Sequence, residues 1–202
     1  MIEKKFIEMK KNEYSIKEFI KAELGKGKIS NVKIERTPIG ERIILFTSRP
    51  GIIIGRKGES IQRLTTILKK EFKMENPKIE IAEIEKVEFD AQSIADQIAL
   101  SLERFGSSSF KIIAYKMMDR IKRAGALGAE ILLSGKLPSA KARAWRFTFG
   151  YLYKTGYPVN FVNHALAVAQ TKPGSIGIKV DILPPDAKLL DKIVIKDRIE
   201  TK

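Results

Sequence analysis

The sequence predicts an α+β protein made of two domains, the first spanning residues 1–89 and the second residues 90–202. Helical and strand-like apolar patterns are mixed along the chain, and its 202 residues exceed the roughly 100–150 of a usual single domain. Residues 80–90 carry five acids and one lysine, whereas residues 104–180 carry thirteen Lys and Arg against two acids. We place the boundary next to residue 89, where this charge reversal meets the start of a helical pattern.

Six elements are predicted in the first domain, in the order helix, strand, strand, short helix, helix, strand. Their ranges are 14–25, 29–36, 41–48, 52–54, 59–72 and 78–87. Ser15 is a candidate N-cap of the first helix, and Gly25 ends it because glycine readily adopts the conformation that terminates helices. A turn over residues 37–40 joins the first two strands, and Pro77 separates the last helix from the last strand.

Two helices followed by an antiparallel sheet are predicted in the second domain. The helices cover residues 89–105 and 110–124, and the sheet is formed by the runs 130–133, 144–152, 159–169 and 176–182. Along the second run Trp145, Phe147, Phe149 and Tyr151 fall on one face, because side chains alternate along a strand. Aromatic residues beside Arg146 are able to stack bases, but this spacing is more typical of the core face of a sheet.

A short glycine-rich segment separates two apolar segments in the stretch GIIIGRKGESI, residues 51–61. Gly55 and Gly58 permit backbone angles and close approaches that a Cβ would obstruct. Backbone N–H groups at the start of the following helix favour a bound phosphate, assisted by the helix dipole. Arg56 and Lys57 at the exposed tip add positive charge. This is the arrangement of the GXXG loop with which KH domains hold about four nucleotides of a single strand.

The predicted RNA site of the first domain consists of this loop and the surfaces beside it. Bases are expected next to the apolar side chains of Ile53 and Ile54, with Arg49 and Arg63 in the same groove. Other phosphate-binding loops are excluded by their spacing, because residues 51–58 match neither the Walker pattern nor GxGxxG.

A formal charge of +14 indicates a polyanionic partner. The helix predicted over residues 110–124 has one acid, Asp119, and spreads its cations over one half of its surface: Lys111, Lys116, Arg120, Lys122 and Arg123. The loop and strand that follow add further cations with no acid between them: Lys136, Lys141, Arg143 and Arg146. We predict that both sets contact RNA. A solvated helix face is the alternative for the first set, although surface helices usually mix both signs of charge.

Catalysis, metal binding and membrane insertion find no support in the sequence. The chain has no cysteine, no metal-ligand spacing and a single histidine, His164, which lies in an apolar-rich run. No apolar segment reaches the roughly 18 residues of a membrane span, and the first residues lack the pattern of a secretory signal. We therefore expect no enzyme activity, cofactor, metal or small-molecule substrate, no membrane association, and a cytoplasmic location.

Three segments together resemble the family of small ribosomal subunit protein three in its archaeal form. They are RPGIIIGRKGESI from Arg49, GALGAEILLSGKL from Gly125 and GSIGIKVDILP from Gly174, and the resemblance extends over about residues 14–185. It implies a type II KH fold for the first domain. It also implies a structural constituent of the head of the small subunit that binds ribosomal RNA and neighbouring head proteins. Such a protein lines the opening through which messenger RNA reaches the decoding centre.

The resemblance further implies a contact between messenger RNA and the helix over residues 110–124, which in bacterial relatives helps to open structured messages. Lys111 and Lys116 match basic positions of that pattern, whereas Ile112 and Tyr115 stand where further positive residues are found. From the residues themselves two other classes of function stay open. One is a free-standing KH RNA-binding chaperone or regulator, and the other is an enzyme acting on nucleic acid through His164 or a lysine.

Overall fold

The computed structural model describes residues 2–37, 40–72, 74 and 77–187, which form two sheets with helices packed on them. The N-terminal half contains α1 (Ile2–Leu24), β1 (Asn31–Thr37), β2 (Gly40–Thr47), α2 (Pro50–Ile54), α3 (Glu59–Glu71) and β3 (Lys78–Glu83). The C-terminal half contains α4 (Ala91–Phe105), α5 (Phe110–Arg123), β4 (Gly128–Gly135), β5 (Arg143–Gly150), β6 (Asn163–Thr171) and β7 (Gly174–Leu183). Short 3-10 helices occur at Arg56–Gly58, Val87–Phe89, Ser107–Ser109 and Tyr157–Phe161. The predicted α+β class is confirmed.

The sheet of the N-terminal half has the order β1-β2-β3, with β1 and β2 antiparallel and β2 and β3 parallel. Alternation along β2 buries Ile43 and Leu45, because successive side chains of a strand point to opposite faces. All three helices contribute to the same core through Ile20, Ile53 and Leu68. The predicted order of six elements is therefore confirmed, and the loop between α2 and α3 lies between two helices with buried side chains.

The first helix is longer than predicted, because α1 begins at Ile2 and not near residue 14. Ser15 is consequently no N-cap; it lies inside the helix, where its hydroxyl donates to the carbonyl of Lys11 at 3.0 Å. The first turns are rich in lysine and glutamate, which favour helices even without tertiary contacts. Burial of apolar side chains does not explain why the first turns of α1 are helical, since Ile2 is 82% and Phe6 60% exposed.

The sheet of the C-terminal half has the order β5-β4-β7-β6, and all its pairs are antiparallel. Its inner face packs against α4 and α5, and the ring centroids of Phe110 and Trp145 lie 5.3 Å apart. Phe147 is buried in this core and Trp145 and Phe149 pack against it partly buried, so the predicted core face is confirmed for these three residues but not for Tyr151, which is 51% exposed.

Several strand ends of the C-terminal half differ from the prediction, and two of them have a clear structural reason. Tyr151 lies outside β5, which ends at Gly150; there φ is +65° and an added Cβ would lie 2.2 Å from the carbonyl oxygen of Leu127. The strand predicted over residues 159–169 begins later, at Asn163, because residues before it form a 3-10 helix.

The chain crosses from one half to the other within a few residues. The N–H of Ile84 still donates to the carbonyl of Thr47 in the first sheet, at 3.0 Å. Phe89 is already buried in the core of the C-terminal half, and the carboxylate of Asp90 caps α4 by accepting the N–H of Ser93 at 3.0 Å. A domain boundary between residues 89 and 90 stays a prediction.

Candidate nucleic-acid interface

The loop between α2 and α3 has a backbone that requires its glycines. Gly55 adopts φ 72° and ψ −174°, a region available almost only to glycine, and Gly58 adopts a left-handed conformation with φ 79°. Lys57 also has a positive φ, 53°, the one non-glycine value of this kind among the described residues. Three of four loop residues therefore turn the chain sharply, and the side chains of Arg56 and Lys57 are exposed at the tip.

The apolar surface beside the loop includes one of the two predicted isoleucines, Ile54, together with Ile52. Ile53 is 0% exposed because it points into the N-terminal core, so its assignment to an RNA-binding groove is corrected. Ile54 is 40% exposed, as a groove residue requires, and Ile52 is 46% exposed. The helical turn of α2 explains this pattern, since one of three consecutive residues faces the core.

The start of α3 adds a backbone feature that suits an anion. No side chain caps this helix end, and the N–H of Glu59 is engaged with the carbonyl of Arg56. Uncapped N–H groups and the positive end of the helix dipole attract negative charge. The acid of Glu59 in the first turn opposes this attraction in part, while Arg56 and Lys57 form no ion pair with any described residue.

The two arginines assigned to the groove differ in their surroundings. Arg49 is exposed just before α2. Arg63 on α3 reaches back to α1, where its Nη2 lies 3.3 Å from a carboxylate oxygen of Glu23. Arg63 remains 73% exposed, so its guanidinium is oriented by Glu23 and still accessible to a ligand.

A basic stripe on α5 borders an open cleft. Lys116, Arg120 and Arg123 line this cleft of about 650 Å³ together with Glu88 and Asp119. Arg120 is held in place, because its Nη2 donates to Glu88 at 2.9 Å and its Nη1 to the side-chain oxygen of Gln97 at 3.1 Å. The hydrogen bond from Arg120 lowers the pKa of the Glu88 carboxyl below its ordinary value. Lys116 and Arg123 form no ion pair within the described parts of the chain and remain exposed.

The other two lysines predicted on this helix cover aromatic side chains of the core. Lys111 Nζ lies 4.8 Å from the ring centroid of Trp145, and Lys122 Nζ lies 5.3 Å from that of Phe149. Cation–π contacts of this kind contribute about 0.5–1 kcal/mol at exposed sites. Lys111 and Lys122 are exposed as well, so the five predicted cations of α5 share one solvent-facing half of the helix.

The cations after α5 fall into two groups. Lys136, Lys141 and Arg143 are exposed on the β4–β5 loop and at the first residue of β5. Arg146, by contrast, has its Nε 2.9 Å from one oxygen of Glu130, whose side chain is only 10% exposed. Lys154 reaches the second oxygen at 2.6 Å. Sequence analysis missed Lys154 and this pairing, because Glu130 and its partners meet only when β4, β5 and the following loop are folded together.

In the part of the chain that the structure describes, His164 pairs with one acid and with no hydroxyl group that could act as a nucleophile. It is exposed on the edge strand β6, and its Nδ1 lies 2.7 Å from a carboxylate oxygen of Asp181 on β7. Among the described residues no group of three or more His, Cys, Asp and Glu is arranged to hold a metal ion. None of the described helices combines the length and the apolar character that a membrane span requires.

Comparison with known proteins gives matches along the whole chain. A sequence model described as "KH domain" matches residues 14–90, and one described as "Ribosomal protein S3, C-terminal domain" matches residues 98–182. The chain is 40% identical to small ribosomal subunit protein uS3 of Methanocaldococcus jannaschii, over 100% of this chain and 97% of that protein. It is 40% identical to the uS3 protein of Archaeoglobus fulgidus, over 97% of this chain and 85% of that protein.

Replacing Gly55 is expected to destabilise the loop. In a Gly55→Ala variant the new Cβ would lie 2.3 Å from Ser60 Oγ, at backbone angles that alanine avoids. We expect the free energy of unfolding to fall by about 1–3 kcal/mol, as measured by urea unfolding followed by circular dichroism. Gly51→Ala is the matched control, because Gly51 lies in α2 with no atom within 4 Å of an added Cβ. Equal stability of the two variants would contradict the strained loop.

Proposed function

Since the chain belongs to the family of small ribosomal subunit protein uS3, a structural and non-enzymatic constituent of the small ribosomal subunit, we propose that it binds ribosomal RNA through the loop at residues 55–58 and the basic surface of its C-terminal half. Its place is in the ribosome, in the cytoplasm. Membership in this family argues against both alternatives, a free-standing KH regulator and a nucleic-acid enzyme.

The observation that carries the proposal is the exposed loop. Gly55 and Gly58 bend the backbone so that Arg56 and Lys57 project from a rigid base with their charges free. A phosphate that approaches the start of α3 meets N–H groups and two cations, while Ile52 and Ile54 offer apolar surface to the neighbouring bases. These are the parts by which a KH domain grips a single strand.

Binding is electrostatic and needs no chemical step. Lys and Arg neutralise phosphates and release counterions, so the affinity falls as salt rises. Each phosphate contact adds about 0.7 to the slope of log K against log salt for a single strand and about 0.9 for a duplex. The exposed cations Lys136, Lys141 and Arg143 extend the basic surface of α5, and we propose that they contact ribosomal RNA, with Arg146 beside them.

The basic stripe of α5 is the surface that we propose for messenger RNA at the opening of the subunit head. Lys116, Arg120 and Arg123 point along an open cleft, and the ion pair with Glu88 keeps Arg120 in a fixed orientation. A row of cations at this spacing suits the regularly spaced phosphates of a passing strand. If these cations hold one strand of a hairpin, the protein also helps to open structured messages.

Neighbouring proteins of the subunit head are proposed to contact the first turns of α1. Ile2, Phe6 and Met9 continue the helix face whose later residues are buried, yet they are exposed themselves. Lys5 and Lys10 border this stripe, so the complementary partner is a protein with an apolar groove and acidic rims. RNA could pair with the lysines, but its phosphates would leave the apolar side chains uncovered.

Charge reversal at the loop tip tests the RNA site. An Arg56→Asp/Lys57→Asp variant should bind a small-subunit ribosomal RNA fragment more weakly, and its salt slope should fall by about 0.7 for each phosphate that is no longer neutralised. Filter binding at several salt concentrations measures both quantities. Lys4→Asp/Lys11→Asp is the control, since it changes the net charge equally on an exposed helix far from the loop in sequence. If both double variants bind with equally reduced affinity, the loop has no special role.

Removal of the α5 stripe tests the contact with messenger RNA. Lys116→Ala, Arg120→Ala and Arg123→Ala combined should lower the translation of a message with a stable hairpin relative to an unstructured message. Lys4→Ala, Lys11→Ala and Lys70→Ala combined remove the same charge from exposed positions elsewhere. A reconstituted translation system that uses both messages gives the ratio. An unchanged ratio in the α5 variant would refute the messenger contact.

A polar residue in the apolar stripe of α1 tests the protein contact. Phe6→Ser should raise the fraction of the chain that sediments free of small subunits in a sucrose gradient, because it interrupts the apolar stripe. Ile7→Ser is the matched control, since Ile7 is similarly exposed, at 67% against 60% for Phe6, and lies off the stripe. Both variants should bind purified RNA as the unaltered protein does. Equal sedimentation of the two variants would argue against α1 as the docking surface.

A further inference from the structure

The segment between α1 and β1 forms a polar contact with the C-terminal half. This polar junction consists of Lys26, Gly27 and Ser30 on the segment and Asp90, Asp96 and Glu103 on or next to α4. Asp96 and Glu103 are seven residues apart and hence lie on the same side of α4, while Asp90 caps the start of that helix. The junction therefore runs along about 20 Å of α4.

The outer end of the junction joins three elements through one carboxylate. Lys26 Nζ lies 3.0 Å from Glu103 Oε1 and donates to the carbonyl of Val168 on β6 at 2.9 Å. The same oxygen of Glu103 accepts the backbone N–H of Gln170 at 2.9 Å. Chiefly because of this backbone hydrogen bond, the pKa of the Glu103 carboxyl is lowered. Lys26 thus ties the end of α1 to both α4 and the edge strand β6.

The centre of the junction is buried. The backbone N–H of Gly27 donates to Asp96 Oδ2 at 3.0 Å, and Gln92 Nε2 donates to the other oxygen at 3.0 Å. Asp96 is only 8% exposed and forms no ion pair within the described chain; burial raises its pKa. Gly27 packs so closely on α4 that an added Cβ would lie 2.9 Å from Leu100 Cδ1. A hydrogen-bond acceptor is needed here, whereas a charge is not.

The inner end of the junction lies at the chain crossing. Ser30 Oγ donates to Asp90 Oδ1 at 2.7 Å, while its backbone N–H donates to Phe46 of β2. The side-chain amide of Asn163 on β6 donates to the carbonyl of Phe89 at 2.9 Å. The first sheet, the cap of α4 and the second sheet are hence connected within a few residues.

We propose that the polar junction holds the two halves in one orientation, so that the loop at residues 55–58 and the basic stripe of α5 bind a single RNA together. This inference rests on the proposed RNA-binding function. The loop is carried by α2 and α3 of the N-terminal half, whereas α5 packs beside α4 in the core of the C-terminal half. Two binding surfaces held at a fixed separation gain affinity for a ligand that reaches both, because the second contact is intramolecular. Lys26, Asp96 and Glu103 are positioning residues in this arrangement.

The test compares two RNA probes, a small-subunit ribosomal RNA fragment long enough to reach both surfaces and a tetranucleotide that fills only the loop. Glu103→Ala and Asp96→Ala should each weaken binding of the long RNA by roughly tenfold or more, with the affinity for the tetranucleotide unchanged. Asp96→Asn should bind the long RNA normally, because asparagine retains an acceptor for the N–H of Gly27. Such a rescue is not expected if only the charge of Asp96 matters.

Two substitutions of opposite charge distinguish a purely electrostatic effect on RNA binding from disruption of the junction. Glu103→Ala makes the protein more positive and Lys26→Met makes it less positive, so a purely electrostatic effect would change the RNA affinity in opposite directions. Disruption of the junction lowers the affinity in both variants. Lys33→Met is the matched control, because Lys33 pairs with Glu35 of the same strand at 2.7 Å and its replacement removes one exposed positive charge without affecting the junction.

The orientation itself can be measured by spin labelling, because the chain has no cysteine of its own. Gln62→Cys on α3 and Ile112→Cys on α5 provide two exposed labelling positions. Double electron–electron resonance should give a narrow distance distribution in the protein with an intact junction and a broader one with Glu103→Ala.

Three results would overturn the inference. They are an unchanged distance distribution, a broadened distribution with full affinity for the long RNA, and equally weakened binding of both RNA probes. If the protein with an intact junction binds neither probe, the proposed function fails instead.

Discussion

Apolar burial on both sides of the loop keeps its cations at the surface. Ile53 precedes Gly55 by two residues and is 0% exposed, and Leu64 and Leu68 anchor the helix that follows. Truncation of such a buried side chain costs about 2–5 kcal/mol, which exceeds the roughly 1–3 kcal/mol of an unfavourable backbone conformation. The unusual angles at residues 55–58 therefore persist without help from a ligand, and the proposed RNA site is formed before any RNA arrives.

The cations of the protein are of two kinds: some contact an acid of the chain, and others have no acidic partner in the described parts of the chain. Arg63, Arg120 and Arg146 each contact an acid of the chain, which sets the direction of the guanidinium. The pairs of Arg63 and Arg120 are exposed and add little to stability, at most about 1 kcal/mol, so their main effect is on geometry. Lys57, Lys116 and Arg123 have no such acid among the described residues and keep several orientations available. As a proposed RNA-binding surface, a set with both kinds of cation can recognise shape at some positions and adapt at others.

The sequence was informative where a pattern is local. The alternation in β2 and the glycines of the loop predicted the N-terminal fold, and the spacing of Trp145 and Phe147 predicted the inner face of the second sheet. Tertiary contacts could not be predicted from local patterns. Which isoleucine of α2 faces the core depends on how the helix is docked, and the pairing of Glu130 with Arg146 depends on strand register. The early start of α1 was missed although Ile2, Phe6 and Met9 continue the apolar spacing of Ile16 and Ile20, because the charged Glu13 interrupts that spacing.

The contacts of the polar junction also bear on the order of folding. Its hydrogen bonds to α4 and to the cap of that helix join residues separated by 60 to 77 positions in the chain, and contacts between distant residues form slowly because they close large loops. The first sheet and its three helices are complete by Glu83, before any residue of α4 has been synthesised. An N-terminal half that folds at this stage has the N–H of Gly27 and the ammonium of Lys26 in water, because their acceptors on α4 do not yet exist. The contacts of the junction form only when α4 and β6 have been synthesised as well.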